Sequence, residues 1–180
     1  MDWFGFLSIA LLAYLFGMVR IDRTITWSLS RVCKKSCERT RMFTLTFSNI
    51  LKGFTAIYLA ARFGPEAAHI ATFFVFLGHI YPIKQTTGGN GMAVLLGTMT
   101  ALHPLLGIIA LFSWLFAYFV FRYSAFSAVA SAVVTTFACA YIGLDVWTEL
   151  LALLTALVIW RQRHGLERMM AGTEEMVVWD

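Results

Sequence analysis

The sequence predicts an all-α polytopic membrane protein with seven membrane segments, its amino terminus outside and its carboxyl terminus cytoplasmic. Three observations carry this. Hydrophobic residues make up 59% of the 180 residues and charged residues only 13%, where an average soluble domain is about 25% charged. The apolar residues fall in long runs and give a mean hydropathy of +0.74; barrel strands would instead alternate apolar and polar residues in segments of about ten. Lysine and arginine gather on alternate connections, as they do on cytoplasmic loops. A soluble domain of 20.2 kDa has too little interior to hide this much apolar surface. An ordinary cytosolic protein, a disordered chain and a disulfide-stapled secreted module are therefore excluded.

A spanning helix needs about 20 apolar residues. Trp3–Val19 is the first span. It has no basic residue before it and no small-x-small cleavage site after it, so it is not a cleaved signal. Residues 20–41 form a basic cytoplasmic connection, within which Ile25–Leu29 suits a short interfacial helix. Met42–Ala61 is the second span and carries Asn49 and Lys52. Arg62–Glu66 turns the chain into a third span, Ala67–Ile83, with His69 near its start and His79 near its end. Lys84–Gly91 is a loop rich in glycine and threonine. His103-Pro104 divides the next apolar stretch into a short helix, 92–102, and a full span, 105–121, because an internal proline removes a helical hydrogen bond and clashes with the preceding turn. Ala125–Gly143 and Val146–Trp160 complete the membrane part, with a basic cytoplasmic tail over 161–180. The whole chain, 1–180, is a single integral membrane domain.

Charge sets the orientation. The first connection, the Lys84 loop, Arg122 and the tail arginines fall on one side; Asp2, Arg62, Glu66, Asp145 and Glu149 fall on the other. The net charge of +4 is thus a feature of topology. The cluster Arg20, Arg23, Arg31, Lys34, Lys35, Arg39 and Arg41 faces anionic headgroups. It lacks interleaved aromatics, so nucleic acid is not an expected partner. Cys33, Cys37 and Cys139 form no disulfide framework, and no metal-ligand spacing is present.

Polar residues inside a bilayer are costly and each needs a reason. Lys52 stands about 15 Å into its span at 1.5 Å per residue. That is too deep for easy snorkelling, which favours a polar cavity. Gly88, Gly89, Asn90 and Gly91 directly precede a helix starting near Met92. Glycines let a backbone approach closely, and a helix N-terminus offers N–H groups to an anion; a flexible turn is the alternative. His79 suits a general base or a hydrogen-bond donor to phosphate, with a packing histidine as the bland reading. His103 is a helix-break residue on the outer side.

These pieces, in this order, resemble the bacterial acyl-phosphate:glycerol-3-phosphate acyltransferases (PlsY). Ala13–Gly17 resembles the end of that family's first helix. Leu51-Lys52-Gly53 matches its Lys-Gly motif. Gly78-His79-Ile80-Tyr81-Pro82, followed by Gly88–Ala93, resembles its Gly-His-x-x-Pro and glycine-loop motifs. Arg161–Glu174 resembles its C-terminal arginine-rich stretch. The likeness covers nearly the whole chain except residues 20–48.

The resemblance implies a seven-helix membrane protein with a cytoplasmic active site in the bacterial inner membrane. It also implies acyl transfer from acyl phosphate to glycerol 3-phosphate or a related acceptor, with no metal or other cofactor. Lys52, Gly53, Gly88, Gly89, Asn90, Gly91, Arg161, Arg163 and Arg168 would bind the phosphorylated substrates, and His79 would be the catalytic candidate. Several positions depart from the pattern. The family's first Gly-Ser-Gly-Asn loop is absent. Asn49 stands for an aspartate, Thr87 and Asn90 for two lysines, Gln162 for a histidine and Gly165 for an asparagine, while His164 offers a partial substitute. The rival expectation is therefore a catalytically degenerate relative that binds membrane lipid or joins a protein partner in a membrane complex. A small transporter has only buried Lys52 behind it, since no paired halves with broken helices appear.

Overall fold

The computed structural model describes residues 3–19, 37–83 and 91–173. Within them the chain is all helical. It has seven α-helices: α1 (Trp3–Met18), α2 (Cys37–Ala60), α3 (Pro65–Ile80), α4 (Met92–Leu102), α5 (Pro104–Phe121), α6 (Ser124–Ile142) and α7 (Asp145–Met170), with a 3-10 turn over Ala61–Phe63. The helix order matches the sequence reading, but α3 runs over Pro65–Ile80 where Ala67–Ile83 was expected, and two other boundaries move further. α2 begins at Cys37 rather than Met42, and α7 runs on past Trp160 to Met170. Hydropathy changes at those points, yet the backbone has no reason to stop. Cys37–Arg41 and Arg161–Met170 contain no proline, and most of their residues are competent helix formers. The expected tail arginines therefore stand on a rigid helix. The expected interfacial helix at Ile25–Leu29 lies outside the described residues.

The breaks are chemical. Pro65 and Pro104 occupy the first helical position of α3 and α5, where a missing N–H costs nothing. His103 is extended (φ −152°, ψ 116°); its N–H donates to the Met99 carbonyl, and its own carbonyl accepts from Leu106 and Gly107. One residue thus ends α4 and starts α5, as the sequence predicts. Gly143 closes α6 at φ 81°, a left-handed value that suits glycine.

Packing follows the membrane pattern of small residues at close helix crossings. A Cβ on Gly53 would meet the Val94 carbonyl oxygen of α4, and one on Gly97 would meet the Ile50 carbonyl oxygen of α2. A second crossing joins α1 and α3, where a Cβ on Gly17 would meet Val75 and one on Gly78 would meet Tyr14. Hydroxyls tie the remaining helices. Ser131 of α6 donates to the Ala110 carbonyl of α5 at 2.6 Å, and Thr155 of α7 shares a 2.8 Å bond with Thr136 of α6.

The core is ordinary. Phe76, Ile80, Leu95, Met99, Leu106, Leu151, Leu154 and Val158 are all buried. The outside is not: Leu7, Phe112, Phe116, Phe119 and Phe137 are each more than half exposed. A belt of this kind in water would be an interaction or aggregation surface; in lipid it is simply solvated. By length and composition α5 and α6, with 18 and 19 residues, suffice to cross a bilayer, while α1 and α4 are apolar but shorter.

Gly97→Val forces the α2–α4 backbones apart. It is expected to cost about 1–3 kcal/mol or more, read as a lower midpoint of thermal unfolding in detergent. Gly143→Asn, at a position where an added Cβ meets nothing within 4 Å, is expected to leave that midpoint nearly unchanged.

Candidate active site at the Lys52 end of the bundle

The α2–α4 crossing sets Lys52 in place. Gly53 lets α2 lie against α4, and Lys52, one residue earlier, is only 3% exposed. Its ammonium does not snorkel to an interface. The Nζ donates to the carbonyl oxygen of Val19 at 2.7 Å. Val19 directly follows α1, so the cation sits against the carbonyl end of a helix, where the macrodipole favours positive charge.

His79 belongs to the last turn of α3. The Gly17–Gly78 crossing brings that turn alongside the end of α1, so His79 and Val19 share one level of the bundle. The chain leaves α3 through Tyr81, whose carbonyl accepts from the Tyr14 hydroxyl at 2.7 Å. Gly91 then opens α4 in a left-handed conformation (φ 78°). Its backbone lies so close to Phe76 and Ile80 of α3 that a Cβ would come within 3.0 Å of the Phe76 ring. The requirement for glycine at Gly91 is thus both conformational and steric. Gly88, Gly89 and Asn90 lie outside the described residues.

α7 supplies the arginines. Gly165 packs against Ala125 at the start of α6, and a Cβ there would lie 2.6 Å from the alanine methyl. The buried stripe Leu151, Leu154, Thr155, Val158, Gln162 and Gly165 faces inward. Arg161 and Arg163 flank that stripe on either side of Gln162. The Arg163 guanidinium lies 4.1 Å from the Trp160 ring, and its Nε donates to His164 Nε2 at 3.3 Å. Arg168 is exposed. His164 is 66% exposed and pairs with Glu167 at 3.0 Å. It therefore occupies the outer face and does not stand in for Gln162.

The fold brings Lys52, Gly53, His79, Gly91 and Arg161 to one end of the bundle. α3 packs against both α2 and α7, and its stacked contact with α7, His69 on Trp147, lies at the end of α3 opposite His79. Arg163 and Arg168 occupy the same end but turn toward its surface. The sequence reading undervalued Gln162, which is buried at 7% exposure with an amide nitrogen that finds no hydrogen-bond partner among the described residues. The inward stripe of α7 was the signal available for it. Cations, backbone N–H groups and an imidazole at one buried helix end suit the binding of a phosphorylated substrate and the transfer of a group from it.

An all-helical bundle with an apolar exterior and this end defines a class of membrane-embedded transferase for phosphorylated substrates. The sequence model of the glycerol-3-phosphate acyltransferase family matches residues 24–172, and the chain belongs to that family. The match runs through the basic connection that the individual motifs left uncovered. A glycerol-3-phosphate acyltransferase of Cupriavidus necator is 33% identical over 156 residues, covering 82% of this chain and 77% of the relative. One from Agrobacterium fabrum is 36% identical over 129 residues, covering 71% and 63%. Crystal structures of PlsY, an integral membrane glycerol 3-phosphate acyltransferase, superpose on the fold. The lysophosphatidic acid form gives a TM-score of 0.85 at 21% identity, covering 97% of this chain and 96% of PlsY. The glycerol 3-phosphate form gives 0.82 at 22%, with the same coverage. These likenesses support a membrane acyltransferase; the degenerate-relative reading finds no support in them.

Lys52→Met is expected to keep the helical content while abolishing the rise in unfolding midpoint that inorganic phosphate or glycerol 3-phosphate gives the parent protein. A variant that is stabilised and still protected by phosphate would make Lys52 a packing residue, since an unneeded buried cation is destabilising.

Proposed function

We propose that this protein transfers an acyl group from acyl phosphate to glycerol 3-phosphate or a closely related acceptor at the cytoplasmic face of the bacterial inner membrane. The single observation that carries this is the juxtaposition of Lys52, His79, Gly91 and Arg161 at one end of the bundle, in a chain of this family. The acceptor hydroxyl attacks the acyl carbonyl carbon, forming an ester C–O bond. The bond from that carbon to the phosphate oxygen breaks, and phosphate leaves with the electron pair. The hydroxyl proton passes to His79 or to a phosphate oxygen. Lys52, with Gly53 beside it, the glycine loop Gly88–Gly91 and Arg161 hold the two phosphorylated substrates in reacting geometry. Arg163 and Arg168 draw them to the entrance. Orientation of two amphiphilic substrates supplies most of the rate enhancement, and no cofactor enters the scheme.

We further propose that the seven helices all cross the bilayer, with the amino terminus outside and the Lys52 end cytoplasmic. Arg122, Arg161, Arg163 and Arg168 share that end, while Arg62, Glu66 and Asp145 lie at the opposite ends of their helices. That distribution accords with the positive-inside rule. Membrane lipid is the expected surrounding partner; a protein partner in a membrane complex is the alternative reading's requirement and is not needed by this one.

Cysteine tags at residue 3 should label with an impermeant reagent in intact cells, and tags beyond Arg168 only after permeabilisation. Labelling of both ends from one side would remove one crossing, with α4 the first suspect. Purified protein supplied with acyl phosphate and glycerol 3-phosphate should form lysophosphatidate and release one phosphate per ester. His79→Ala should lower kcat by about 10²–10⁴ if the imidazole takes the proton. An unchanged kcat would assign the proton to substrate phosphate.

A further inference from the structure

The pair of helices α1 and α3 is closed at one end and open at the other. Gly17 and Gly78 put the two backbones in contact at the Lys52 end. From Gly17 back to Phe6 is about 17 Å at 1.5 Å per residue. There a cleft of about 170 Å³ separates α1 from the turn between α2 and α3. Phe6 forms one wall; Phe63, Gly64, Pro65 and Glu66 form the other. The lining is apolar apart from one carboxylate. Glu66 is exposed and has no ion-pair partner among the described residues.

Arg62 stands on the other side of Gly64-Pro65 in the chain. Its Nη2 donates to the Tyr58 hydroxyl at 2.8 Å, and its guanidinium lies 5.1 Å from the centre of the Tyr58 ring. Both residues are exposed. The remaining guanidinium N–H groups and the hydroxyl proton of Tyr58 are left to donate elsewhere. Among the described residues Arg62 is the single lysine or arginine at the end opposite Lys52, against the charge bias that orients the chain. A guanidinium held there suits an anion, and the Glu66 carboxylate suits a cation.

We propose that this cleft and its rim bind a phospholipid whose headgroup carries a primary ammonium. Arg62 and Tyr58 donate to the phosphate, Glu66 accepts from the ammonium, and the apolar part of the lipid lies against Phe6 and Phe63. Charge complementarity selects this occupant. At the end of a spanning helix, the group that sets both charges beside an apolar chain is a zwitterionic headgroup. An anionic lipid satisfies Arg62 but meets like charge at Glu66. A trimethylammonium headgroup has the charge but no N–H to donate. The lipid then holds α1 to the α2–α3 turn at the end that the glycine crossing leaves open. The inference rests on the reading that these helices cross the bilayer and not on acyl transfer.

The test titrates the full chain, purified in detergent and stripped of lipid, with phosphatidylethanolamine, phosphatidylcholine and phosphatidylglycerol of identical acyl chains. The readouts are the unfolding midpoint and the lipid retained in native mass spectra. Phosphatidylethanolamine should bind about fivefold more tightly than the other two. Glu66→Gln should bring it level with phosphatidylglycerol, and Arg62→Gln should weaken all three. Equal binding of the three lipids, or a preference for another of them, overturns the proposal. A preference for phosphatidylethanolamine that survives both variants places the lipid elsewhere and overturns it too. Should the variants fail to fold, N-acetylated phosphatidylethanolamine offered to the parent protein carries the same test, because the amide removes the ammonium and leaves the phosphate and chains. Weakened binding supports the assignment to Glu66, and undiminished binding refutes it. No turnover is needed, so an inactive protein leaves the result intact, and a failure of the topology reading shows in the cysteine labelling instead.

Discussion

Backbone against backbone is the contact on which the rest of this bundle depends. In lipid there is no hydrophobic drive to bring helices together, because the tails are as apolar as leucine. Close van der Waals approach has to hold them, and that approach needs glycine. Gly53 and Gly97 press α2 onto α4; Gly17 and Gly78 press α1 onto α3. Each crossing also places a polar side chain. Lys52 precedes Gly53, His79 follows Gly78, and the end of α1 receives the lysine through Val19. The glycines hold the bundle together and, by the same contacts, determine where its polar residues stand.

The buried ammonium illustrates how a charge is made tolerable in such a setting. A cation deep in an apolar bundle is costly unless partners meet it. Lys52 finds the carbonyl of Val19, at the end of α1, where several carbonyls lack helical partners. This contact sets the ammonium against the dipole of a helix end, where positive charge is favoured.

Much of this was legible in the sequence. The order of seven helices, the break at His103-Pro104 and the helix opening after Gly91 follow from hydropathy, proline chemistry and glycine placement. The start of α2 and the end of α7 did not, because hydropathy marks where lipid stops and not where a helix stops. Lys52 stood out because a charge inside a span always does. Gln162 did not, because a neutral amide beside arginines looks like part of a solvated end until the inward stripe through Val158 and Gly165 is known. The partial substitute suggested by His164 failed for the complementary reason: two residues along a helix is half a turn, and half a turn is the opposite face.

The overrun of α7 has a mechanical side. The helix is one rod of 26 residues. Near its start Trp147 stacks on His69 at 3.5 Å between ring centroids, and His69 is itself tied to the Pro65 carbonyl at 2.8 Å. From Trp147 to Arg161 the rod is about 21 Å long at 1.5 Å per residue. A lever of that length turned by about 5° around the stacked rings carries its far end through about 2 Å. Misplacement by about 1 Å is enough to cost a reaction two decades. The distant aromatic pair is thus the fulcrum on which the position of the arginines rests.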